Sequence, residues 1–182
     1  MMQVPSGRQY SSTDVELMKL MVRYGFVRHS EKPFRLKSGI PSNVYIYGRE
    51  DLTDNPAFER EIGWQVGLGV ANAMQDMEDK RRTCLIGIPT AGTPLAQAAA
   101  RESLIPGNPL AYENDNRIIC HRLMREFLKE HGPHQTWVNG KPDPTKHCYW
   151  LVDNVATNGQ SKLEAMEKLV ADGYPPIEET PV

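Results

Sequence analysis

The 182-residue chain has no apolar run approaching the roughly 20 residues that a membrane-spanning helix needs. It also has no basic surplus: 21 lysines and arginines stand against 23 aspartates and glutamates, a net charge of -2. The first absence excludes a helical membrane anchor. The second argues against a protein that coats nucleic acid. The N-terminal stretch MMQVPSGRQYSSTD lacks the apolar segment of a secretory signal. Cysteine is scarce, with Cys84, Cys120 and Cys148 odd in number, free of any short metal-ligand spacing, and two of them in apolar runs. Buried thiols in a reducing compartment are the first reading, ahead of zinc or disulfides. These absences point to a soluble cytoplasmic protein with neither membrane nor nucleic acid as partner.

What is present is a regular alternation of short apolar runs and helical patterns. Thr13-x-x-Glu16 reads as a capping box, followed by Val15, Met18, Met21 and Val22 at the spacing of one buried stripe, with a stop near Gly25. Lys37-Ser38-Gly39 looks like a loop and Val44-Tyr45-Ile46-Tyr47 like a strand. Asn55-Pro56 opens a second helix to about Met77, with Gly63, Gly67 and Gly69 marking tight packing. The charge run Glu78 to Arg82 reads as a solvated helix end. Cys84 to Ile88 is a continuous apolar run, then a turn Pro89-Thr90-Ala91-Gly92 and an alanine-rich helix to about Arg101. Pro109 to Tyr112 and Cys148 to Val152 read as further strands, and Ser161 to Ala171 as a helix ended by Asp172-Gly173. Strands without polar alternation, separated by helices, predict an α/β fold with a parallel sheet covered on both faces. The polar region from Glu113 to His147 carries four of the five histidines and shows no clear element. His121 and His134 have no acidic spacing that favours a metal, and Trp64, Trp137 and Trp150 read as packing residues.

Two turns fall at the carboxyl ends of predicted parallel strands, where ligands of open sheets sit. After Val152, the residues Thr157, Asn158, Gly159, Gln160 and Ser161 offer hydroxyls and approachable backbone N–H groups just before a helix. That combination cradles a phosphate, because the N–H dipoles and the helix macrodipole both favour an anion. Asp153 repels phosphate but suits sugar hydroxyls or a hydrated magnesium ion. An acid four residues ahead of a phosphate nest matches a ribose 5-phosphate. Taken alone, the stretch reads equally well as an ordinary loop.

The stretches "FRLKSGIPSNVYIYGR" (34–49), "IGIPTAGTPLAQA" (86–98), "KEHG" (129–132) and "LVDNVATNGQS" (151–161) occur in the order seen in orotate phosphoribosyltransferases, and the chain resembles that family from about residue 14 to 173. The resemblance implies a type I phosphoribosyltransferase-like parallel sheet flanked by helices with a small N-terminal hood. It implies one domain over residues 1–182, with hood elements at about 10–50 and the core at about 55–175. By the same resemblance the substrates are phosphoribosyl pyrophosphate (PRPP) and orotate, the products orotidine 5-phosphate and pyrophosphate, and the cofactor magnesium. That metal is carried by PRPP and by water near Asp153 rather than bound directly by protein. Lys37 resembles the lysine that contacts the pyrophosphate beside the base, and Thr90, Ala91 and Gly92 resemble the pyrophosphate loop. Lys129 and His131 resemble the catalytic loop that, in this family, reaches into the second subunit of a homodimer. Asp153, Asn154 and Thr157 to Ser161 resemble the PRPP signature.

The chain departs from the pattern in four places. Asn154 stands where the signature has a second acid. Arg125 fills the loop's arginine position, but Glu126 follows where a lysine is expected. Glu113 to Met124 looks like an insertion. After PPIEETPV the chain reaches Val182, where the family continues into a strand and an arginine that binds the orotate carboxylate. Alternatives within the resemblance are transfer to another base, or a PRPP-binding protein without catalysis.

Overall fold

The structure, a computed structural model, describes residues 2, 3, 7, 9–36, 39–46, 54–75, 77, 79, 81–104, 118–127, 131, 136–155 and 159–174. It divides into two compact units, Met1–Glu59 and Arg60–Val182. Lys37, Ser38, the expected strand Pro109 to Tyr112, Lys129, Thr157 and Asn158 lie outside the described residues. Among the described residues no helix is long and apolar enough to cross a membrane.

In the first unit, β1 (Met2–Gln3) pairs antiparallel with β2 (Gln9–Tyr10), and α1 (Ser12–Arg23) follows directly. The capping box is there, two residues earlier than expected. The Ser11 hydroxyl accepts the Asp14 N–H at 3.1 Å, and the Asp14 carboxylate accepts the Ser11 N–H at 2.8 Å. The chain arrives extended at Ser11 (φ -70°, ψ 166°), which is the backbone a cap needs, and this places Thr13 inside the first turn instead. The expected buried stripe is corrected too: Met18 is 46% and Val22 61% exposed. Burial in this unit comes from aromatics beyond the helix, with Tyr24 stacked on Phe58 at 5.1 Å and Phe26 edge-on to Phe58 at 5.6 Å. The helix stops as expected, at Tyr24 and a Gly25 with φ +75°. β3 (Val27–Arg35) then pairs antiparallel with β4 (Pro41–Ile46), joined through Gly39 at φ +83°. β3 escapes sequence reading because VRHSEKPFR is polar on both faces.

α2 (Pro56–Gln75) begins at the Asn55-Pro56 signal. Of the charge run Glu78 to Arg82, the described residues Asp79, Arg81 and Arg82 do not continue that helix. Arg81 forks onto the Asp79 carboxylate at 2.5 and 3.0 Å and donates to the Pro144 carbonyl at 2.7 Å, and Arg82 already belongs to the next strand. That guanidinium holds Asp79 down at a pKa of about 2.

The second unit is built on three parallel strands in the order β6 (Cys120–Leu123), β5 (Arg82–Gly87), β7 (His147–Val152). β5 lies in the middle and is buried from Thr83 through Gly87, as a run that is apolar on both faces requires. α3 (Gly92–Glu102) and α4 (Gln160–Ala171) cover the sheet. Ile86 and Ile88 pack with Ala165 and Leu169 of α4, together with Met124, Trp137 and Tyr174. Gly87, pointing the other way, meets the first residues of α3. β6 replaces part of the stretch that looked like an insertion; its sequence, CHRL, gives no strand signal. The Asp172-Gly173 stop holds, with the Asp172 carboxylate accepting the Trp137 indole N–H at 2.7 Å.

Gly63 of α2 faces Ala98 of α3 so closely that a Cβ there would lie 2.7 Å from both the Ala98 carbonyl carbon and its Cβ. The alanine-rich face of α3 exists to permit this approach. Gly63→Ala is therefore expected to cost about 1–3 kcal/mol, despite the better helix propensity of alanine. Urea unfolding checks it: a midpoint at or above that of the parent chain contradicts the packing.

Candidate active site

Gly87 pairs with Leu123 on one side and Val152 on the other, so the three strands end level. Every turn that follows them leaves from one edge. From β5 the chain moves out to β6, then returns across β5 to β7, which makes the β5–β7 boundary the point where the strand order reverses. Open parallel sheets bind ligands at such a point.

There the two turns found in the sequence touch. The Ile88 N–H donates to the Val152 carbonyl at 2.8 Å, and the Gly92 N–H to the Ile88 carbonyl at 2.9 Å. A Cβ on Gly92 would stand 2.1 Å from the Val152 oxygen and 3.2 Å from the Asp153 Cα. Only glycine fits. The Pro89–Thr90 peptide is cis, Thr90 is exposed, and Ala91 is buried. Thr90 and Ala91 present the remaining amides of this turn.

In the second turn the Asp153 carboxylate is held from three sides. Its Oδ1 accepts the Asn154 N–H at 2.9 Å, and its Oδ2 accepts the Ser161 hydroxyl at 3.3 Å and the Lys162 ammonium. Lys162 also donates to the Val155 carbonyl at 2.6 Å. Ser161 was anticipated; Lys162 was missed. A signal for it existed, because a lysine in the first turn of a helix sits at the positive end of the macrodipole and needs a nearby anion. The Gln160 side chain turns along α4 to Glu164 at 3.1 Å, away from Asp153.

The caps complete the electrostatics. α1 satisfies its N-terminus with Ser11 and places Asp14 in its first turn. α3 and α4 start at Ala91 and at Gly159 (φ +78°) with no side-chain cap and no acid in the first turn. Two helix N-termini, both without side-chain caps, therefore open at the same sheet edge. An anion is what that arrangement accommodates best.

Arg125 follows β6 at this edge. Its N–H donates to the Thr136 carbonyl at 2.8 Å, while its Nε is buried with no hydrogen-bond partner among the described residues. A buried guanidinium nitrogen in that condition suits an anionic ligand. Lys168 of α4 donates to the Glu126 carbonyl at 3.0 Å. His131 is exposed and is not brought against the two turns by any contact among the described residues.

A parallel sheet with helices on its faces, and a phosphate-ready turn on each side of its reversal point, defines the type I phosphoribosyltransferase class of fold. No protein-family model matches the chain. Among known proteins, the orotate phosphoribosyltransferase of Aeropyrum pernix is 31% identical over 158 residues, 87% of this chain and 72% of its own length. That of Nostoc sp. is 26% identical over 170 residues, 93% of this chain and 72% of its own. The chain belongs to the orotate phosphoribosyltransferase family, and so to the glycosyl-transferring enzymes. Solved structures agree on the fold. Orotate phosphoribosyltransferase of Mycobacterium tuberculosis, in complex with Fe(III) dicitrate, superposes with a TM-score of 0.59 at 21% identity over 89% of this chain and 78% of its own. UMP synthase of Leishmania donovani gives 0.58 at 25% identity over 88% of this chain, which spans 29% of that longer protein.

Gly92 and Gly159 make a paired test of this geometry. Gly92→Ala drives a methyl into the Val152 carbonyl and is expected to cost about 3 kcal/mol or more. Gly159→Ala meets open space but keeps a positive φ, at about 1–2 kcal/mol. Equal losses in thermal melts would contradict the contact between the turns.

Proposed function

We propose that the chain transfers the 5-phosphoribosyl group of PRPP to orotate, giving orotidine 5-phosphate and pyrophosphate, in the cytoplasm as a step of pyrimidine nucleotide synthesis. The observation that carries the reading is the contact of Gly92 with Val152 and Asp153, which sets a pyrophosphate turn beside a ribose-phosphate turn. The 5-phosphate lies at the N-terminus of α4 against the amides of Gly159 to Ser161, and the family resemblance assigns Thr157 and Asn158 to the same nest. The Oδ1 of Asp153 accepts a ribose hydroxyl, and Asn154 offers an amide to the same sugar.

Breaking the C1–pyrophosphate bond leaves oxocarbenium character on the ribose and negative charge on the departing pyrophosphate. In this reading the turn Thr90-Ala91, the N-terminus of α3 and Arg125 stabilise that leaving charge, and the family resemblance assigns Lys37 and Lys129 the same task. His131 and Lys129 come from a loop that closes over the site of a partner subunit and excludes water, which otherwise captures the sugar cation. The residues present do not fit a magnesium ion held by Asp153, because that carboxylate already bonds Lys162, Ser161 and the Asn154 amide. Any cation therefore arrives with the pyrophosphate of the donor.

Pyrophosphate release from PRPP, measured with orotate and with a panel of other bases, tests the reading. Release with orotate alone is expected, and release only with another base replaces orotate as acceptor. PRPP binding without turnover on any base marks a silent relative. Asp153→Asn is expected to lower turnover roughly a hundredfold. Mixing inactive Lys129→Ala and Asp153→Ala chains is expected to restore part of the activity through hybrid dimers, each with one intact site. No recovery, with dimers confirmed by sedimentation, contradicts the shared loop.

A further inference from the structure

We infer that Lys162 is a positioning residue of the ribose turn: an ammonium built into the fold that neutralises Asp153 and makes sugar binding there independent of a divalent cation. The inference rests on the phosphoribosyl reading above and concerns how this chain balances charge at that site.

Lys162 is not a surface lysine that happens to pass an acid. Its side chain is 24% exposed and that of Asp153 14%. Removing one partner of a pair so enclosed leaves an uncompensated charge shielded from water, which costs more than at an exposed pair. The second bond, to the Val155 carbonyl at 2.6 Å, fixes the ammonium to the backbone of the turn. Ser161 adds a hydroxyl to the same carboxylate oxygen at 3.3 Å. The other oxygen, Oδ1, takes only the Asn154 N–H and keeps lone-pair capacity for a sugar hydroxyl.

Charge decides the consequence. Between Asp153 and Lys162 the sequence carries one carboxylate and one ammonium, since Asn154 is neutral. A divalent cation is bound by anionic oxygens, usually several at once. The single carboxylate of this turn already has its counter-charge in Lys162, and no cluster of three His, Cys, Asp or Glu side chains occurs among the described residues. The ammonium occupies the electrostatic role that a hydrated cation would fill, and it holds the carboxylate at a fixed angle to the incoming ribose.

Ribose 5-phosphate is the probe, because it presents the sugar hydroxyls and the 5-phosphate without a pyrophosphate that recruits magnesium. Its binding to the full chain is measured by calorimetry, with magnesium and with chelator. For the parent chain and K162R the two affinities are expected to agree within about twofold. K162M leaves the carboxylate without a counter-charge, so magnesium is expected to tighten its binding about tenfold. A role confined to holding the fold predicts a lower melting temperature for K162M but a flat magnesium response, and that result overturns the inference. So does a parent chain that already shows the tenfold response. If K162M does not fold, N154D serves: Lys162 neutralises only one of two carboxylates there, a magnesium response of at least about threefold is expected, and a flat one counts against us. A parent chain that binds neither ribose 5-phosphate nor PRPP sinks the phosphoribosyl reading itself. Binding with the wrong metal dependence sinks only the role of Lys162.

Discussion

The site depends on one close approach, that of Gly92 to the Val152 carbonyl. Backbone meets backbone there with no room for a side chain, and this fixes where α3 begins relative to the end of β7. The parallel register of β5 and β7 makes the approach possible by ending both strands level. The Ile88 N–H bond to the same carbonyl then holds it. Gly87 extends the constraint, because a Cβ there would lie 2.5 Å from the Thr93 Cα. Two glycines on one strand-to-helix connection thus bring two helix N-termini to one edge. Once they are there, two helix N-termini without side-chain caps open at one edge, the arrangement that best accommodates an anion.

Much of this was legible in the sequence, and the reason is burial. β5 and β7 lie in a sheet covered on both faces, so their sequences are continuous apolar runs, and the turns after them stand out as small polar interruptions. Both phosphate-type turns, the helix starting at Pro56 and the stop at Asp172-Gly173 could be read for that reason. β3 and β6 could not. Their sequences, VRHSEKPFR and CHRL, mix charge with apolar residues without a period of two, and pairing rather than pattern makes them strands. At Ser11 and Thr13 two overlapping signals competed. The extended backbone leaving β2 decided between them, which no local pattern could reveal.

The functional residues divide along the same line. Asp153, Gly159 and Ser161 follow from local spacing. Arg125 and Lys37 acquire roles only through family resemblance, and the buried unpartnered Nε of Arg125 is the structural support that the first of these gains. Lys162 lies nine residues from its partner, and their meeting requires the turn to fold back on itself. Sequence reading treated Asp153 as an open carboxylate. The structure shows a carboxylate already paired with Lys162 and Ser161.

Two of the departures from the family pattern lie beside lysines of α4. The ribose turn has an amide where a second acid is expected, and α4 supplies Lys162 to the remaining one. The loop has Glu126 where a lysine is expected, and α4 supplies Lys168 to the Glu126 backbone carbonyl. The ribose turn has therefore become less negative and the base of the loop less positive. A lysine fixed to the backbone of the turn is in place before any ligand binds. Electrostatic stabilisation that needs no reorganisation is the more effective kind in a site closed to water. On that physical ground the charge pattern of this chain supports the proposed transfer reaction over a silent relative.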